Sequence, residues 1–434
     1  MSYHSASAPD YLPLPRMREL QLARLRAIAA RAYERVALFR ERMDERSLDP
    51  ECLRDIADLA RLPFTTKSDL RDTYPFGLFA SPMAEVVRLP ASSGTTGKPI
   101  VVAYTREDLD VWTEVMVRAL AACGLTRGDI VQNAYGYGLF TGGLGAHYGV
   151  EGLGATVIPI SGGNTDRQIT VMRDFRVTAI CCTPSYFLHL AERAAELGID
   201  IRELPLRAGL FGAEPWTDSM RRRLESEGGI RAYDIYGLSE IIGPGVAVEC
   251  GCQDGLHIFE DHFYPEVVDP ETGEVLPDGE EGELVLTTLS KQAMPMIRYR
   301  TRDITRLMTE PCPCGRTLRR MSRISRRSDD MLIIRGVNVF PSQIEHALLQ
   351  AEGTLPHYQI ILTRQKGLDA VEVQVEVTPQ VFSDEVRTLE GLQQRLSDAI
   401  DRTLGLRVSV RLVAPRTIAR SEGKAKRVID RRES

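Results

Sequence analysis

The sequence predicts an α/β protein with a large N-terminal domain and a smaller C-terminal domain, residues 1–328 and 329–434. The chain has 434 residues, more than one hydrophobic core ordinarily serves. From about residue 85 to 290, short and fully apolar runs alternate with segments of helical spacing, which is typical of a mostly parallel sheet packed with helices. After about residue 328 the pattern changes to that of a small α+β domain.

The elements of the large domain follow from local periodicity. One amphipathic helix is predicted near the N-terminus, because six apolar residues recur at helical spacing: Leu25, Ile28, Ala32, Val36, Phe39 and Met43. Apolar runs predict buried strands at residues 155–160, 178–183 and 208–212. Helices are predicted at residues 185–197 and 217–227. A further strand is predicted at residues 283–289, because a Pro-Asp-Gly turn precedes it.

The small domain shows strands of a different kind. Two strand-like runs, residues 357–363 and 370–377, flank the turn residues Lys366 and Gly367. A helix follows with Leu389, Leu392, Leu396 and Ile400 on one face, and then a strand at residues 407–413. We therefore expect a small C-terminal domain of α+β type.

The composition excludes several classes of protein. Hydrophobic residues make up 43% and charged residues 26%, as in ordinary globular proteins. The net charge of −6 gives no case for a nucleic-acid partner, and no apolar run is long enough to predict a membrane span. Residues 1–10 lack the basic start and apolar core of a secretory signal, so a cytoplasmic protein is expected. Eight cysteines in that compartment are not expected to form structural disulfides.

The strongest local signal is a run of glycines and hydroxyl residues that ends in a lysine: Ser92, Ser93, Gly94, Thr95, Thr96, Gly97 and Lys98. Glycines bring backbone N–H groups close to a polyphosphate, and the hydroxyls and the ammonium group add donors. A P-loop of the Walker type is excluded, because Ser92 stands where that pattern needs glycine and Pro99 where it needs Ser or Thr.

This run resembles the phosphate loop of the acyl-adenylate-forming enzymes, and further motifs of that superfamily follow in the same order. They are Gly212-Ala213-Glu214-Pro215, Tyr236-Gly237-Leu238-Ser239-Glu240, residues 298–303, residues 327–330 with 334–336, and Ser421-Glu422-Gly423-Lys424. The resemblance implies that ATP and AMP are bound by the phosphate loop together with Gly212, Ala213, Glu214, Asp234, Tyr236, Gly237, Asp303 and Arg327.

The resemblance also implies the roles of individual residues. Glu240 would hold Mg²⁺, and Thr95 and Lys424 would act with it in catalysis. Such groups are needed because a carboxylate must approach the α-phosphate, and two unit charges 4 Å apart repel by about 4 kcal/mol at an effective dielectric constant of 20. Asp329 would be the hinge about which the small domain rotates, after which Arg335 and Gly336 would line the path of coenzyme A.

Longer stretches resemble the phenylacetate–CoA ligase family of this superfamily, over about residues 20–432. They are residues 62–67, 134–148, 234–247, 261–266 and 335–341. The family implies an aromatic acid, ATP and coenzyme A as substrates, and a homodimer. Its acid pocket would be a flat slot of glycines and aromatic rings, formed by Tyr137, Phe140, Gly142, Gly143, Ala213, Tyr236, Ile242 and Pro244. Phenylacetate and a hydroxylated or amino-substituted aryl acid both remain open.

Two C-x-C pairs and one histidine predict a structural zinc site. Their side chains supply more ligands than the four that tetrahedral zinc needs. The expected set is Cys250, His257, Cys312 and Cys314, with Cys252 as the alternate ligand. The other interpretation is that these cysteines are reduced and hold no metal.

Three functions are weighed on these residues. The first is an AMP-forming aryl-acid–CoA ligase. The second is an adenylating enzyme that passes the acyl group to a carrier-protein thiol or to an amine. The third, a nucleotide-binding regulator without turnover, is disfavoured because Lys424, Glu240 and Asp303 are all retained.

Overall fold

Helices and strands alternate along the chain in the computed structural model, which describes residues 4–92, 99–139, 141–324, 326–328, 332–334, 337–339, 341–365, 368–382, 386–404, 408–420 and 425–431. The helices in these residues are α1 (Leu14–Arg35), α2 (Ala37–Asp44), α3 (Lys67–Asp72), α4 (Arg106–Ala122), α5 (Gly142–Gly152), α6 (Thr165–Asp174), α7 (Pro184–Glu196), α8 (Asp218–Gly228), α9 (Pro341–Leu349), α10 (Pro379–Phe382) and α11 (Val386–Leu404). The strands of the large domain are β1 (Ala91–Ser92), β2 (Ile100–Val101), β3 (Ile130–Asn133), β4 (Thr156–Ile158), β5 (Ala179–Cys182), β6 (Ala208–Phe211), β7 (Arg231–Leu238), β8 (Gly243–Glu249), β9 (Leu256–Ile258), β10 (Phe263–Val268), β11 (Gly282–Thr288), β12 (Tyr299–Thr305), β13 (Leu307–Met308), β14 (Arg320–Met321) and β15 (Arg326–Arg327). The remaining strands are β16 (Leu332–Ile334), β17 (Val337–Val339), β18 (Thr354–Gln365), β19 (Leu368–Val377), β20 (Ser409–Val413) and β21 (Val428–Asp430). None of the described helices is both long and apolar enough to cross a membrane.

The apolar residues near the N-terminus form two helices, so the prediction of one helix is wrong in this respect. Val36 lies between α1 and α2 in an extended conformation, with φ −111° and ψ 104°. A β-branched residue favours that conformation over a helical one. All six apolar residues that predicted the helix are nevertheless buried. The periodicity therefore identified the buried face correctly but not the break in the chain.

The central sheet has nine strands in the order β13-β14-β9-β8-β7-β6-β5-β3-β4. Pairing is parallel from β4 to β7 and antiparallel from β7 to β13. The three strands predicted to be buried are β4, β5 and β6. The prediction is wrong for β4, which has only three residues and is exposed or half-buried, because it lies at the edge of the sheet. Every residue of β5 and β6 is buried, as expected where helices cover both faces of a parallel sheet. The α/β class is confirmed, with a parallel and an antiparallel half.

A second sheet packs beside the first, in the order β10-β11-β12-β15, with antiparallel pairing throughout. Its strand β11 is the one predicted at residues 283–289. The side chain of Lys291, just beyond β11, is fully buried and donates from Nζ to the main-chain oxygen of Glu240 at 3.0 Å. The second sheet thus meets the end of β7, where the motif that ends in Glu240 lies.

The residues after 331 form a hydrophobic core of their own. The strands β20-β19-β18-β21 make a four-stranded sheet, and α9 and α11 pack on it. Leu392, Leu396 and Ile400 of α11 are buried against this sheet. Strands β18 and β19 are the predicted pair, and β20 is the predicted strand at residues 407–413, beginning at Ser409. The exact domain boundary at Asp329 lies outside the described residues and stays a prediction.

Candidate active site

A cavity of about 140 Å³ lies where β6 and β7 end. Ligands of α/β proteins bind at the carboxyl ends of parallel strands, because the connecting loops diverge there. Eight residues predicted to bind nucleotide line this cavity together: Gly212, Ala213, Glu214, Asp234, Tyr236, Gly237, Asp303 and Arg327. They come from four separate segments of the sequence, so the fold brings the predicted motifs into one place.

One end of the cavity holds a tight cluster of polar side chains. Asp303 and Arg327 are directly opposite each other on the paired strands β12 and β15. Arg327 donates to Asp303 Oδ1 at 2.8 Å, and the Tyr236 hydroxyl donates to Asp303 Oδ2 at 2.6 Å. Burial and the neighbouring Asp303 carboxylate raise the pKa of Tyr236 well above its usual value, so the hydroxyl stays a donor. The carboxylate is therefore held in one orientation.

Two backbone positions in these motifs are constrained. A side chain at Gly237 would place its Cβ 1.9 Å from the carbonyl oxygen of Gly243, which is impossible without separating β7 from β8. Ala213 adopts φ 68°, a left-handed conformation that residues with a Cβ rarely adopt. Such strain clusters at functional sites, and it lies here at the wall of the cavity.

Sequence reasoning missed Trp216 and Arg323, which also line the cavity. Two guanidinium groups lie against the Trp216 ring, that of Arg323 at 4.7 Å and that of Arg221 at 5.2 Å from its centroid. Arg323 Nε is 3.3 Å from a carboxylate oxygen of Asp234. Burial, and then the charge of Glu249, raise the pKa of Asp234 to about 7. No local pattern marks Arg323, because its partners lie far away in the sequence.

Glu240 lies just past the end of β7 with its side chain buried. The Tyr299 hydroxyl donates to Glu240 Oε1 at 3.3 Å. Burial lowers the pKa of the nearby Lys291 ammonium group to about 8, while the Asp108 and Glu240 carboxylates oppose that shift. Glu240 thus has a fixed backbone and a fixed carboxylate, as a metal ligand requires.

Several predicted residues lie outside the described residues. In the phosphate loop they are Ser93, Gly94, Thr95, Thr96, Gly97 and Lys98, and elsewhere they are Phe140, Asp329, Arg335, Gly336 and Lys424. The backbone of Ser92 is described and pairs with Ile100 in the hairpin of β1 and β2. The main-chain N–H of Ala91 donates to Leu139 O at 2.9 Å, which joins this hairpin to the predicted acid-binding segment.

The predicted acid-binding segment contains a chain of hydrogen bonds. Asn133 Nδ2 donates to the Tyr137 hydroxyl at 2.7 Å, and that hydroxyl lies 3.1 Å from His147 Nδ1. His147 Nε2 in turn lies 3.2 Å from a carboxylate oxygen of Glu151. Burial raises the pKa of Tyr137 to about 12. The hydroxyl of Tyr137 is therefore neutral, accepts from Asn133 and lies within hydrogen-bond distance of His147.

The glycines of this segment allow close packing. A Cβ on Gly143 would lie 2.4 Å from the carbonyl oxygen of Gly136, whereas one on Gly142 would make ordinary contact with the ring of Tyr135. Among the residues predicted for the other side of the slot, Pro244 accepts through its carbonyl oxygen from Trp112 Nε1 at 2.9 Å. Ile242 is fully buried in the core. The two sides of the predicted slot are thus rigid.

The predicted cysteine–histidine set forms one cluster. Ligand atoms of Cys250, His257, Cys312 and Cys314 all lie within 4.8 Å of one another. The sulfurs of Cys250 and Cys312 are 3.7 Å apart, and Cys314 Sγ is 3.4 Å from His257 Nε2. Cys252, the predicted alternate, is not part of this cluster. The cluster forms because β8, β9 and β14 are neighbours in the central sheet.

The spacing of these atoms fits a tetrahedral metal site. Sulfur and nitrogen ligands of zinc, at roughly 2.0–2.3 Å from the ion, lie about 3.5–3.8 Å from each other. The two distances given above agree with this within a few tenths of an ångström. Three sulfurs and one imidazole nitrogen are also the donors that structural zinc prefers.

Models of two protein families match the chain. The one described as "AMP-binding enzyme" matches residues 23–294, and the one described as "AMP-binding enzyme C-terminal domain" matches residues 336–432. Among characterised proteins, the phenylacetate–coenzyme A ligase of Pseudomonas putida is 54% identical over 417 residues, which cover 96% of this chain and 94% of that protein.

Solved structures of a 2-hydroxyisobutyryl-CoA ligase resemble this chain to different degrees. Its postadenylation state with 2-HIB-AMP superposes with a TM-score of 0.93 at 30% identity, over 100% of this chain and 94% of that one. Its thioesterification state with 2-HIB-AMP and CoA superposes with a TM-score of 0.72 at 32% identity, over 98% and 92% of the two chains. The present arrangement is therefore closer to the postadenylation state.

Proposed function

Because this chain belongs to the AMP-binding enzymes, and within them to the phenylacetate–CoA ligase family, we propose that it is an AMP-forming ligase that joins an aromatic acid to coenzyme A. The observation that carries this proposal is the single cavity in which Tyr236, Asp303 and Arg327 meet. In the first step the carboxylate of the acid attacks the α-phosphorus of ATP, and pyrophosphate leaves. In the second step the thiol of coenzyme A attacks the acyl carbonyl, and AMP leaves.

Each cluster of the site has a part in this reaction. Asp303 would accept hydrogen bonds from the ribose hydroxyls, with Tyr236 and Arg327 holding its orientation. Glu240 would hold Mg²⁺, which supplies positive charge to the phosphates. The motif residues Gly212, Ala213 and Gly237 would border the adenine ring, since they line the same cavity as Asp303. The segment with Tyr137, Gly142 and Gly143 would receive the aromatic ring together with Pro244, since aromatic rings pack well against flat apolar and backbone surfaces.

The acid is best identified by ATP–pyrophosphate exchange over a panel of aryl acids. The panel contains phenylacetate and its hydroxylated and amino-substituted forms, and thioester formation is measured with and without coenzyme A. We expect exchange with at least one aryl acid, followed by thioester formation when coenzyme A is added. Exchange without thioester would instead favour an acceptor on a carrier protein or an amine. No exchange with any acid would overturn the proposal.

Replacing Asp303 by asparagine tests the nucleotide site. The amide keeps the shape but loses the charge that strengthens hydrogen bonds to the ribose. Hydrogen bonds to a charged group contribute about 1.5–3 kcal/mol, so the KM for ATP should rise by about tenfold or more. Exchange at varied ATP concentration measures this, and the KM for coenzyme A serves as the internal control. An unchanged KM for ATP would contradict the assignment of Asp303.

We also propose that the cysteine–histidine cluster holds a structural zinc ion. The donor set and the spacing of Cys250, His257, Cys312 and Cys314 support it. Such an ion would tie the turn after β8 to the loop between β13 and β14, and so stabilise the antiparallel half of the sheet.

The hinge at Asp329 is a proposal as well. It lies between the end of the first family model at residue 294 and the start of the second at residue 336. A homodimer and a cytoplasmic location stay predictions from the sequence.

A further inference from the structure

Helix α7 of the large domain presents acidic side chains to the C-terminal domain. Arg420 donates from Nη2 to both carboxylate oxygens of Glu192, at 3.0 and 3.1 Å. His357 Nε2 is 3.7 Å from the same carboxylate. One turn further along α7, Glu196 pairs with Arg416. These contacts join one face of α7 to two segments of the small domain.

Arg420 is also fixed from within its own domain. The fully buried Glu376 of β19 accepts from Arg420 Nη1 at 2.7 Å and from Nη2 at 2.9 Å. The guanidinium group therefore bridges a carboxylate of each domain. Burial acts to raise the pKa of Glu192, but hydrogen bonds from His189, His357 and Arg420 outweigh it and hold that pKa well below its usual value. Glu192 is thus ionised whenever the contact is formed.

A second carboxylate reaches the small domain from the nucleotide cavity. Glu214 Oε1 accepts from the main-chain N–H of Ser185 at 2.8 Å, in the first turn of α7. Glu214 Oε2 accepts from the main-chain N–H of Ala425 at 3.2 Å. Glu214 therefore links the first turn of α7 to the small domain. This link lies beside the cavity in which the nucleotide of the proposed reaction would bind.

Arg420 and Ala425 stand on either side of residues 421–424 in the sequence. We propose that Glu192 and Glu214 are positioning residues, which hold both ends of the segment that carries Lys424 against the large domain for adenylation. This inference rests on the proposed function, in which Lys424 acts in the first step only. The closer superposition on the postadenylation state of the related ligase agrees with it.

These contacts should act on the two steps in opposite directions. An interaction that exists in only one of two domain arrangements favours that arrangement. The equilibrium between the two arrangements shifts by the free energy of the interaction. If the small domain rotates for the thioester step, the Glu192–Arg420 pair must break. Loss of this pair should therefore slow adenylation and leave thioester formation unchanged or faster. A side chain that merely stabilised the fold would slow both steps alike.

The test replaces Glu192 by alanine and, separately, by glutamine. Adenylation is measured as ATP–pyrophosphate exchange with the best acid of the panel. The thioester step is measured with chemically prepared acyl-adenylate of that acid and coenzyme A. We expect exchange to fall by about five- to tenfold, because a partly buried ion pair contributes roughly one factor of ten in an equilibrium constant. Thioester formation is expected to stay at or above the wild-type rate.

Asp166→Asn is the matched control. Asp166 forms a bidentate pair with Arg193 of α7, at 2.6 and 2.8 Å, within the large domain. This variant also loses a carboxylate that contacts α7, and it should keep both half-reactions unchanged. Thermal unfolding shows whether all variants are folded. Equal losses in both half-reactions, or no loss of exchange in either Glu192 variant, would overturn the inference. A wild-type protein without any acid-dependent exchange would overturn the proposed function instead.

Discussion

Replacement of Lys424 by alanine is expected to slow acid-dependent ATP–pyrophosphate exchange by about a hundredfold or more, because removal of one group that stabilises charge in a transition state has effects of this size. Two anions approach each other when the acid attacks the α-phosphate. The ammonium group would reduce their repulsion as negative charge moves onto pyrophosphate. Within residues 421–424, Lys424 is the only cation, and Glu422 has the opposite sign.

The same variant should retain thioester formation from supplied acyl-adenylate and coenzyme A. That step begins after pyrophosphate has left, so the charge that Lys424 offsets is no longer there. Both half-reactions are measured on one preparation, which separates a catalytic loss from misfolding. Lys426→Ala is the matched control, because Lys426 is exposed and stands two residues further on. Equal losses of Lys424→Ala in the two half-reactions would defeat the assignment.

Replacement of Cys312 by serine is expected to have the largest effect on stability. Structural zinc contributes on the order of 10 kcal/mol to the folding of small zinc-binding peptides, since the ligands come together only in the folded state. In a protein of this size 1 kcal/mol shifts the Tm by about 1 °C, so loss of a contribution of this kind would lower the Tm by several degrees and by at most about 10 °C. The variant should also lose zinc, because three ligands bind the ion far more weakly than four.

Metal analysis and thermal unfolding of protein purified without chelator measure both effects. Cys252→Ser is the matched control, since Cys252 belongs to the same C-x-C pair as Cys250 but not to the cluster. It should keep its zinc and its Tm. A wild-type protein with less than about 0.3 zinc per chain would show that the four-ligand site is not used. Loss of zinc in Cys252→Ser would instead show that Cys252, and not Cys250, is a ligand of the ion.

The motifs that line the proposed nucleotide cavity were predictable because each is contiguous in the sequence. Gly237 must be glycine where two strands approach, and the roles proposed for the Tyr236 ring and the Asp303 carboxylate follow from their chemistry. The cysteine–histidine set was predictable for a different reason, since thiolate pairs and an imidazole are chemically distinctive. Buried strands such as β5 were predictable from their unbroken apolar runs.

The tertiary structure alone decided how separate segments meet. The break at Val36, the antiparallel half of the central sheet and the stacking of Arg323 on Trp216 have no local signal. The bridge from Glu192 to Arg420 joins residues 228 positions apart. A local pattern reports which side chains are buried and where the backbone turns. It does not report which distant charge will face a given side chain, because that depends on how sheets and domains pack against one another.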